Sequence, residues 1–176
     1  MISLMHQFDN SILQFIQNNM HGPFMDKFMI FVTRLGNLGT IWIIIAVFLI
    51  ITKKYRNAGI ATLCAVILGA VLGEGIIKHI VQRPRPFVES GTMNLLISRP
   101  LSSSFPSGHT TAAFAAAAVL SRYFKRYAAG FFVLAFLIAF SRLYLYVHYP
   151  TDVLAGIVLG LLCSKIVFYM LNVKCN

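Results

Sequence analysis

Three short stretches of this chain hold residue types suited to gripping and attacking a phosphoryl group. In the first, Lys78 closes an apolar run and Arg83-Pro84-Arg85-Pro86 follows. The prolines fix φ and disfavour helix at the residue before them, which holds two guanidinium groups on a non-helical path. An Arg fork binds two oxygens of one oxyanion, and Lys adds a compact point charge. A charged helix flank that snorkels to lipid headgroups is the competing reading of the same residues. In the second stretch, Ser102-Ser103-Ser104-Phe105-Pro106-Ser107-Gly108-His109 leads directly into an apolar helix. The unpaired N–H groups and positive dipole end of a helix N-terminus attract anions, and Gly108 leaves room for a phosphate to approach the backbone. The alternative is an ordinary helix start with Ser107 as its cap. In the third, Ser141-Arg142 is followed by five residues, then His148, then Asp152 four positions on. Arg142 lies in an apolar helix, where a lone guanidinium costs at least about 2.5 kcal/mol, so it must face a partner. Pro150 suits the first turn of a final helix, which sets His148 just ahead of that helix and Asp152 within reach. A carboxylate on one ring nitrogen fixes the tautomer and leaves the other nitrogen free to attack. A satisfied histidine in an interfacial loop rich in aromatics, Tyr144, Tyr146 and Tyr149, is the competing reading.

The elements that must bring these stretches together are membrane helices. The chain has 176 residues, 58% apolar and 11% charged, whereas a water-soluble domain carries about 25% charge. Six spans of about 20 residues would use about 120 positions, leaving short connections and no room for a second, soluble domain. Residues 1–176 therefore read as a single membrane-embedded domain of the all-α class: a polytopic helical bundle of about six transmembrane helices, residues 22–172, preceded by an amphipathic interfacial helix, residues 1–20. In that first helix Met5, Phe8, Ile12, Phe15 and Ile16 recur at helical spacing, while Gln7, Asp9, Asn10, Gln14 and Gln17 fill the other face. Apolar runs follow at about 24–35, 40–52, 58–77, 107–121, 128–147 and 153–171. The first two flank the turn signal Gly36-Asn37-Leu38-Gly39 and form either a short hairpin or one broken crossing. Small residues four apart, Ala65, Gly69 and Gly73, and again Gly156 and Gly160, predict close helix approach. Residues 2–19 lack the basic start and continuous apolar stretch of a signal peptide, so none is expected. Cys64, Cys163 and Cys175 have no metal-ligand spacing and read as packing residues.

Net charge is +10, and its distribution is more informative than its size. Basic residues cluster at Lys53, Lys54 and Arg56, at Arg122, Lys125 and Arg126, and at Lys174. By the positive-inside rule these places, with the C-terminus, are cytoplasmic, and residues 78–106 and 146–152 face the other side. Arg83, Arg85 and Arg99 then stand where cations should be scarce, which an anionic ligand explains. No continuous basic face exists, so nucleic acid is not an expected partner.

Lysine, six residues and Arg-Pro, then Pro-Ser-Gly-His, then Ser-Arg, five residues, His, three residues and Asp: this pattern resembles the three-part signature of the type 2 phosphatidic acid phosphatase superfamily. It is carried by Lys78 through Pro86, Pro106 through His109 and Ser141 through Asp152. The resemblance implies a six-helix membrane core and a phosphatase of lipid phosphates. It makes His148 the nucleophile that forms a phosphohistidine, Asp152 the group that orients it, and His109 the acid that protonates the leaving oxygen and later activates water. Lys78, Arg85, Arg142, Ser107 and the Gly108 amide would bind the non-bridging oxygens. No metal and no cofactor are expected; the partners are a phosphorylated lipid and the surrounding membrane lipids. The compact chain is similar to the branch that hydrolyses undecaprenyl diphosphate, with phosphatidylglycerophosphate or phosphatidic acid as alternative substrates. A catalytically silent membrane protein that binds or transports phospholipid would need the cations but not the two histidines. Glu74, four residues before Lys78, is expected to pair with it rather than act in catalysis. Arg83, His79 and Arg99 fall outside the expected site.

Overall fold

A computed structural model of the chain describes residues 2–91 and 95–171; Lys174 and Cys175 lie outside the described residues. Among these the chain forms helices and connecting loops with no strand: α1 (Ile2–Asn19), α2 (Pro23–Gly36), α3 (Thr40–Ile51), α4 (Arg56–Ala70), α5 (Lys78–Val81), α6 (Pro86–Glu89), α7 (Gly108–Tyr123), α8 (Ala128–Tyr144) and α9 (Pro150–Met170). Four helical stretches, Pro23–Ile51, Lys53–Glu89, Lys125–Tyr144 and Pro150–Met170, are long and apolar enough to cross a bilayer. Their outward side chains are apolar as well, with Ile44, Phe48, Ile67, Phe136 and Val158 all exposed. Helices apolar all round with an apolar outer surface are what a lipid solvent permits, since burying their backbone bonds internally is the only requirement.

Helix α7, 16 residues long, is the axis of the bundle and packs against α4, α8 and α9. Its alanine-rich run fits that place, because the neighbours approach it through glycines. A Cβ at Gly160 would stand 2.5 Å from the Thr111 carbonyl oxygen and 2.9 Å from the Ala115 nitrogen, and one at Gly69 would stand 2.9 Å from the Thr111 methyl. The small-residue spacing in the sequence thus marks two real close approaches, α9 and α4 onto α7. Trp42, Leu120, Ile138 and Val119 fill the space between. Cys64 and Cys163 are free thiols within the packed helices.

Helices α2 and α3 form one broken path rather than a hairpin. Asp26, in the first turn of α2, receives a hydrogen bond from the Tyr144 hydroxyl at the end of α8. Tyr55, in the short turn that follows α3, meets Phe124 at the opposite end, ring centroids 5.1 Å apart. The break is the 3-10 turn Asn37–Gly39, where Leu38 and Gly39 have φ of 50° and 70°. Gly39 adopts that left-handed conformation at no steric cost, whereas Leu38 is a strained position for a residue with a Cβ. The expected all-α membrane bundle is therefore present, with α2 and α3 in series, and four of its helical stretches have the length and hydropathy of a span.

The N-terminal segment corrects its expected placement in part. Helix α1 is amphipathic, but its inward face is Asp9, Leu13 and Ile16, all buried, while Met5, Phe8 and Phe15 point outward. Asp9 was assigned to the polar, solvated face; it is fully enclosed against α8 and α9 instead. Between α4 and α5 the chain runs through a π-helical stretch, Val71–Ile77. Such widened turns re-aim side chains and concentrate at functional sites; this one carries Glu74 and leads into Lys78, which points inward at 6% exposure.

Candidate active site

A cavity of about 760 Å³ opens at the end of the bundle remote from Tyr55 and Phe124, and Lys78, Arg85, Gly108, His109, Arg142 and His148 all line it. Three helices and two connecting segments deliver them. Lys78 begins α5 after the π turn, and Arg85 is the residue before α6, extended because Pro86 follows. Gly108 and His109 open α7, Arg142 lies in the last turn of α8, and His148 precedes Pro150, the first residue of α9. The remainder of the wall is mostly apolar, with Leu38, Val66, Ala70, Leu96 and Ile97. The wall thus offers both cations for a phosphate and apolar side chains for a hydrocarbon chain.

His148 is 2% exposed. Its Nε2 stands 3.2 Å from Arg85 Nη1, and because a guanidinium can only donate, Nε2 must be the ring's acceptor. The proton of the neutral ring then sits on Nδ1, which faces Asp152 Oδ2 at 3.6 Å. That separation is beyond hydrogen-bond length, and Nδ1 is buried with no other partner. The expected orientation by Asp152 is present as a charge aimed at Nδ1 rather than as a closed bond. Burial pushes the His148 pKa down to about 3, with Arg85 and Arg142 adding to the shift and Asp152 opposing it. The sign follows: between about pH 3 and the unfolded value near 6.5 the unfolded chain binds a proton the folded one does not, so the stability from a neutral His148 is full above 6.5 and is lost as pH falls toward 3. Nitrogen NMR of labelled His148 should show the neutral Nδ1–H ring from pH 8 down to pH 4, and a transition near 6.5 would contradict it.

Arg142 is 3% exposed. It donates to the Thr33 hydroxyl through Nη1 at 2.5 Å, and its Nε has no partner. A buried guanidinium with a free donor beside a cavity is costly, and an oxyanion in the cavity would satisfy it. Lys78 pairs with Glu74 at 2.7 Å, as its spacing suggests, and also donates to Ser102 Oγ at 3.1 Å. The Glu74 carboxylate lies against Gly108, in the place a Cβ there would need. The N-terminus of α7 and Lys78 thus already face one carboxylate.

Ser107 departs from expectation. It occupies the N-cap position of α7, but its hydroxyl is fully buried, accepts a hydrogen bond from Thr110 at 2.9 Å and is absent from the cavity wall. Asp152 is also off the wall, behind His148, as a group acting through the imidazole should be.

Four features were not visible from the sequence. Arg83, left outside the expected site, donates through Nη1 to Asp152 Oδ1 and through Nη2 to Asp9 Oδ2, each at 2.7 Å. Ser104 Oγ donates to Asp152 Oδ2, which also accepts from the Tyr149 backbone N–H at 2.9 Å. The serine run is a scaffold: Arg85 donates to the Ser102 carbonyl at 2.7 Å and the Val147 carbonyl at 2.8 Å, and Ser103 Oγ donates to the Lys78 carbonyl at 3.0 Å. Asn37, in the broken turn, places its Oδ1 2.9 Å from His109 Nε2. Only the serines carried a signal, three hydroxyls just before a helix start. Of the two other residues set aside, His79 is exposed, and Arg99 stacks over Phe87 at 6.0 Å, outside the cavity.

The sequence profile of the PAP2 superfamily matches residues 59–174. A curated relative named undecaprenyl-diphosphatase, from Sulfolobus acidocaldarius, is 31% identical over 137 residues, covering 77% of this chain and 66% of that protein. The crystal structure of Aquifex aeolicus LpxE superposes with a TM-score of 0.80 at 34% identity, covering 92% of this chain and 95% of that one. A PAP2-type phosphatidylglycerolphosphate phosphatase from Bacillus subtilis superposes at 0.77 with 27% identity, covering 96% and 87%.

Proposed function

The chain belongs to the PAP2 superfamily, among its membrane lipid phosphatases, and from that premise we propose that it hydrolyses undecaprenyl diphosphate to undecaprenyl phosphate and inorganic phosphate. The observation that carries this reading is that His148, its Nε2 3.2 Å from Arg85 Nη1, lines one cavity with Lys78 and Arg142. Cations on the same cavity wall as an acceptor nitrogen suit a nucleophile whose target is polyanionic; a phospholipid binder would need the cations alone.

In the proposed reaction the terminal phosphate lies among Lys78, Arg85, Arg142 and the first N–H groups of α7. The Nε2 lone pair attacks its phosphorus, a P–N bond forms, and the P–O bond to the bridging oxygen breaks. His109 supplies a proton to the departing lipid phosphate. Water, giving its proton to His109, then attacks the phosphohistidine and releases inorganic phosphate. The arginines and the helix N-terminus hold the non-bridging oxygens as charge is redistributed. Positive charge growing on the ring is offset by Asp152 behind Nδ1. Ser107 acts here through its place at the start of α7, since its hydroxyl is engaged with Thr110.

The apolar wall of the cavity favours a lipid substrate, and the name of the Sulfolobus relative favours the isoprenoid diphosphate. The basic ends near Tyr55 and Phe124 lie opposite the cavity, and the positive-inside rule then favours the extracytoplasmic face for the reaction and the cytoplasm for the C-terminus. Purified protein in detergent with EDTA should release phosphate from undecaprenyl diphosphate at least about tenfold faster, as kcat/KM, than from phosphatidylglycerophosphate or phosphatidic acid. Vanadate, a phosphate mimic, should inhibit it. A preference for phosphatidylglycerophosphate would transfer the assignment to the activity named for the Bacillus subtilis neighbour. Tight lipid-phosphate binding without any phosphate release would overturn the enzymatic reading.

A further inference from the structure

The carboxylate behind His148 does not stand alone. Asp152 Oδ2 accepts from Ser104 and the Tyr149 N–H and faces His148 Nδ1, while Oδ1 is held by Arg83. The plane of the carboxylate, and with it the placement of Oδ2 against Nδ1, therefore depends on where Arg83 sits. Arg83 is in turn fixed from the far side. Its Nη2 donates to Asp9 Oδ2 at 2.7 Å, its Nη1 also donates to the Thr151 hydroxyl at 2.7 Å, and its guanidinium lies 3.9 Å over the Tyr149 ring. Asp9 completes the ring by accepting from the Thr151 backbone N–H at 3.0 Å and the Thr151 hydroxyl at 2.7 Å.

Asp9 is fully buried, and an enclosed carboxylate persists only where its partners repay desolvation. It ties α1 both to Arg83 and to the first turn of α9, the turn that carries Asp152. Without Asp9, Arg83 would keep one carboxylate instead of two, and the Thr151 N–H would lose its acceptor. The shell behind His148 would also lose one of the two negative charges that flank Arg83. We infer that Asp9 is a positioning residue for catalysis: α1 carries it into the bundle to lock Arg83, and through Arg83 the Asp152 carboxylate that orients His148. The N-terminal helix is then a part of the catalytic support and not solely a membrane-surface anchor.

This inference rests on His148 being the nucleophile, and the experiment separates the two. Steady-state phosphate release from undecaprenyl diphosphate is measured in detergent for Asp9→Asn, Asp9→Glu, Arg83→Ala, Asp9→Asn combined with Arg83→Ala, and His148→Ala, with thermal unfolding of each. Asp9→Asn keeps volume and acceptor oxygen but removes the charge; it should lower kcat about tenfold while KM stays within about twofold. Asp9→Glu, which keeps the charge, should retain more of kcat than Asp9→Asn. In the Arg83→Ala background Asp9→Asn should cost less than about twofold, because the two act in series. A folded Asp9→Asn with unchanged kcat would overturn the positioning role, as would a loss that appears in KM alone or one that multiplies fully with Arg83→Ala. A fully active His148→Ala would instead remove the nucleophile on which the inference stands.

Discussion

His148→Ala should lower turnover by at least about 10⁴-fold while the protein still inserts and can be purified folded. The size follows from what the residue does in the proposed reaction: with no imidazole, no P–N bond forms, and only unassisted water attack within the cation cluster remains. Folding should survive because the ring adds little to it. His148 Nδ1 makes no hydrogen bond, and Arg85 keeps its carbonyl partners at Ser102 and Val147 when the ring is gone. Rapid acid quench gives an independent readout, because wild type should yield an acid-labile, alkali-stable phosphohistidine and the variant none. Full activity in His148→Ala would refute the mechanism.

Arg142→Met should separate function from stability in opposite directions. The guanidinium is almost wholly enclosed, its Nε is unpaired among the described residues, and its Nη1 donates to Thr33. Replacing a buried, incompletely satisfied cation by an apolar side chain of similar length commonly leaves stability unchanged or raises it. The same change removes a donor that the proposed reaction sets on the phosphate, an effect of about 10²–10³ in rate for a single oxyanion contact. The expected result is a melting temperature equal to or above wild type, with kcat/KM and vanadate affinity both reduced. Arg142→Lys should recover only part of the rate, since a point charge cannot reproduce the fork. A variant that melts lower yet turns over normally per folded molecule would show Arg142 to be structural.

These expectations concern positions that were legible as text. Lys78, Arg85, Gly108, His109, Arg142 and His148 each stood in or beside one of the three motif stretches near a helix end, and the six line one cavity. Spacing was enough because each is placed by its own helix terminus: Pro86 holds Arg85 extended, and Pro150 starts α9 just past His148. Ser107 was legible by position and not by role, because the choice between facing phosphate and bonding Thr110 is a rotamer, which no spacing encodes.

Asp9 and Arg83 illustrate what spacing could not reach. They are 74 residues apart, as Asn37 and His109 are 72 apart. The alternation of polar and apolar side chains along α1 identified an amphipathic helix, but a polar stripe reads the same whether it meets water or a buried guanidinium. The broken path of α2 and α3 was likewise undecided, since a glycine-rich turn permits either a reversal or a bend.

The sequence alone determined that the chain is helical and membrane-embedded, and which helix ends carry the residues that line the cavity. Both follow from quantities that run along one dimension: hydropathy, helical period and the distance from a proline or glycine. Tertiary structure alone decided which distant side chains pair. That depends on the depth and rotation at which α4 and α9 seat against α7, set where Gly69, Gly156 and Gly160 let them approach, and hydrogen bonds tolerate only a few tenths of an ångström in such seating.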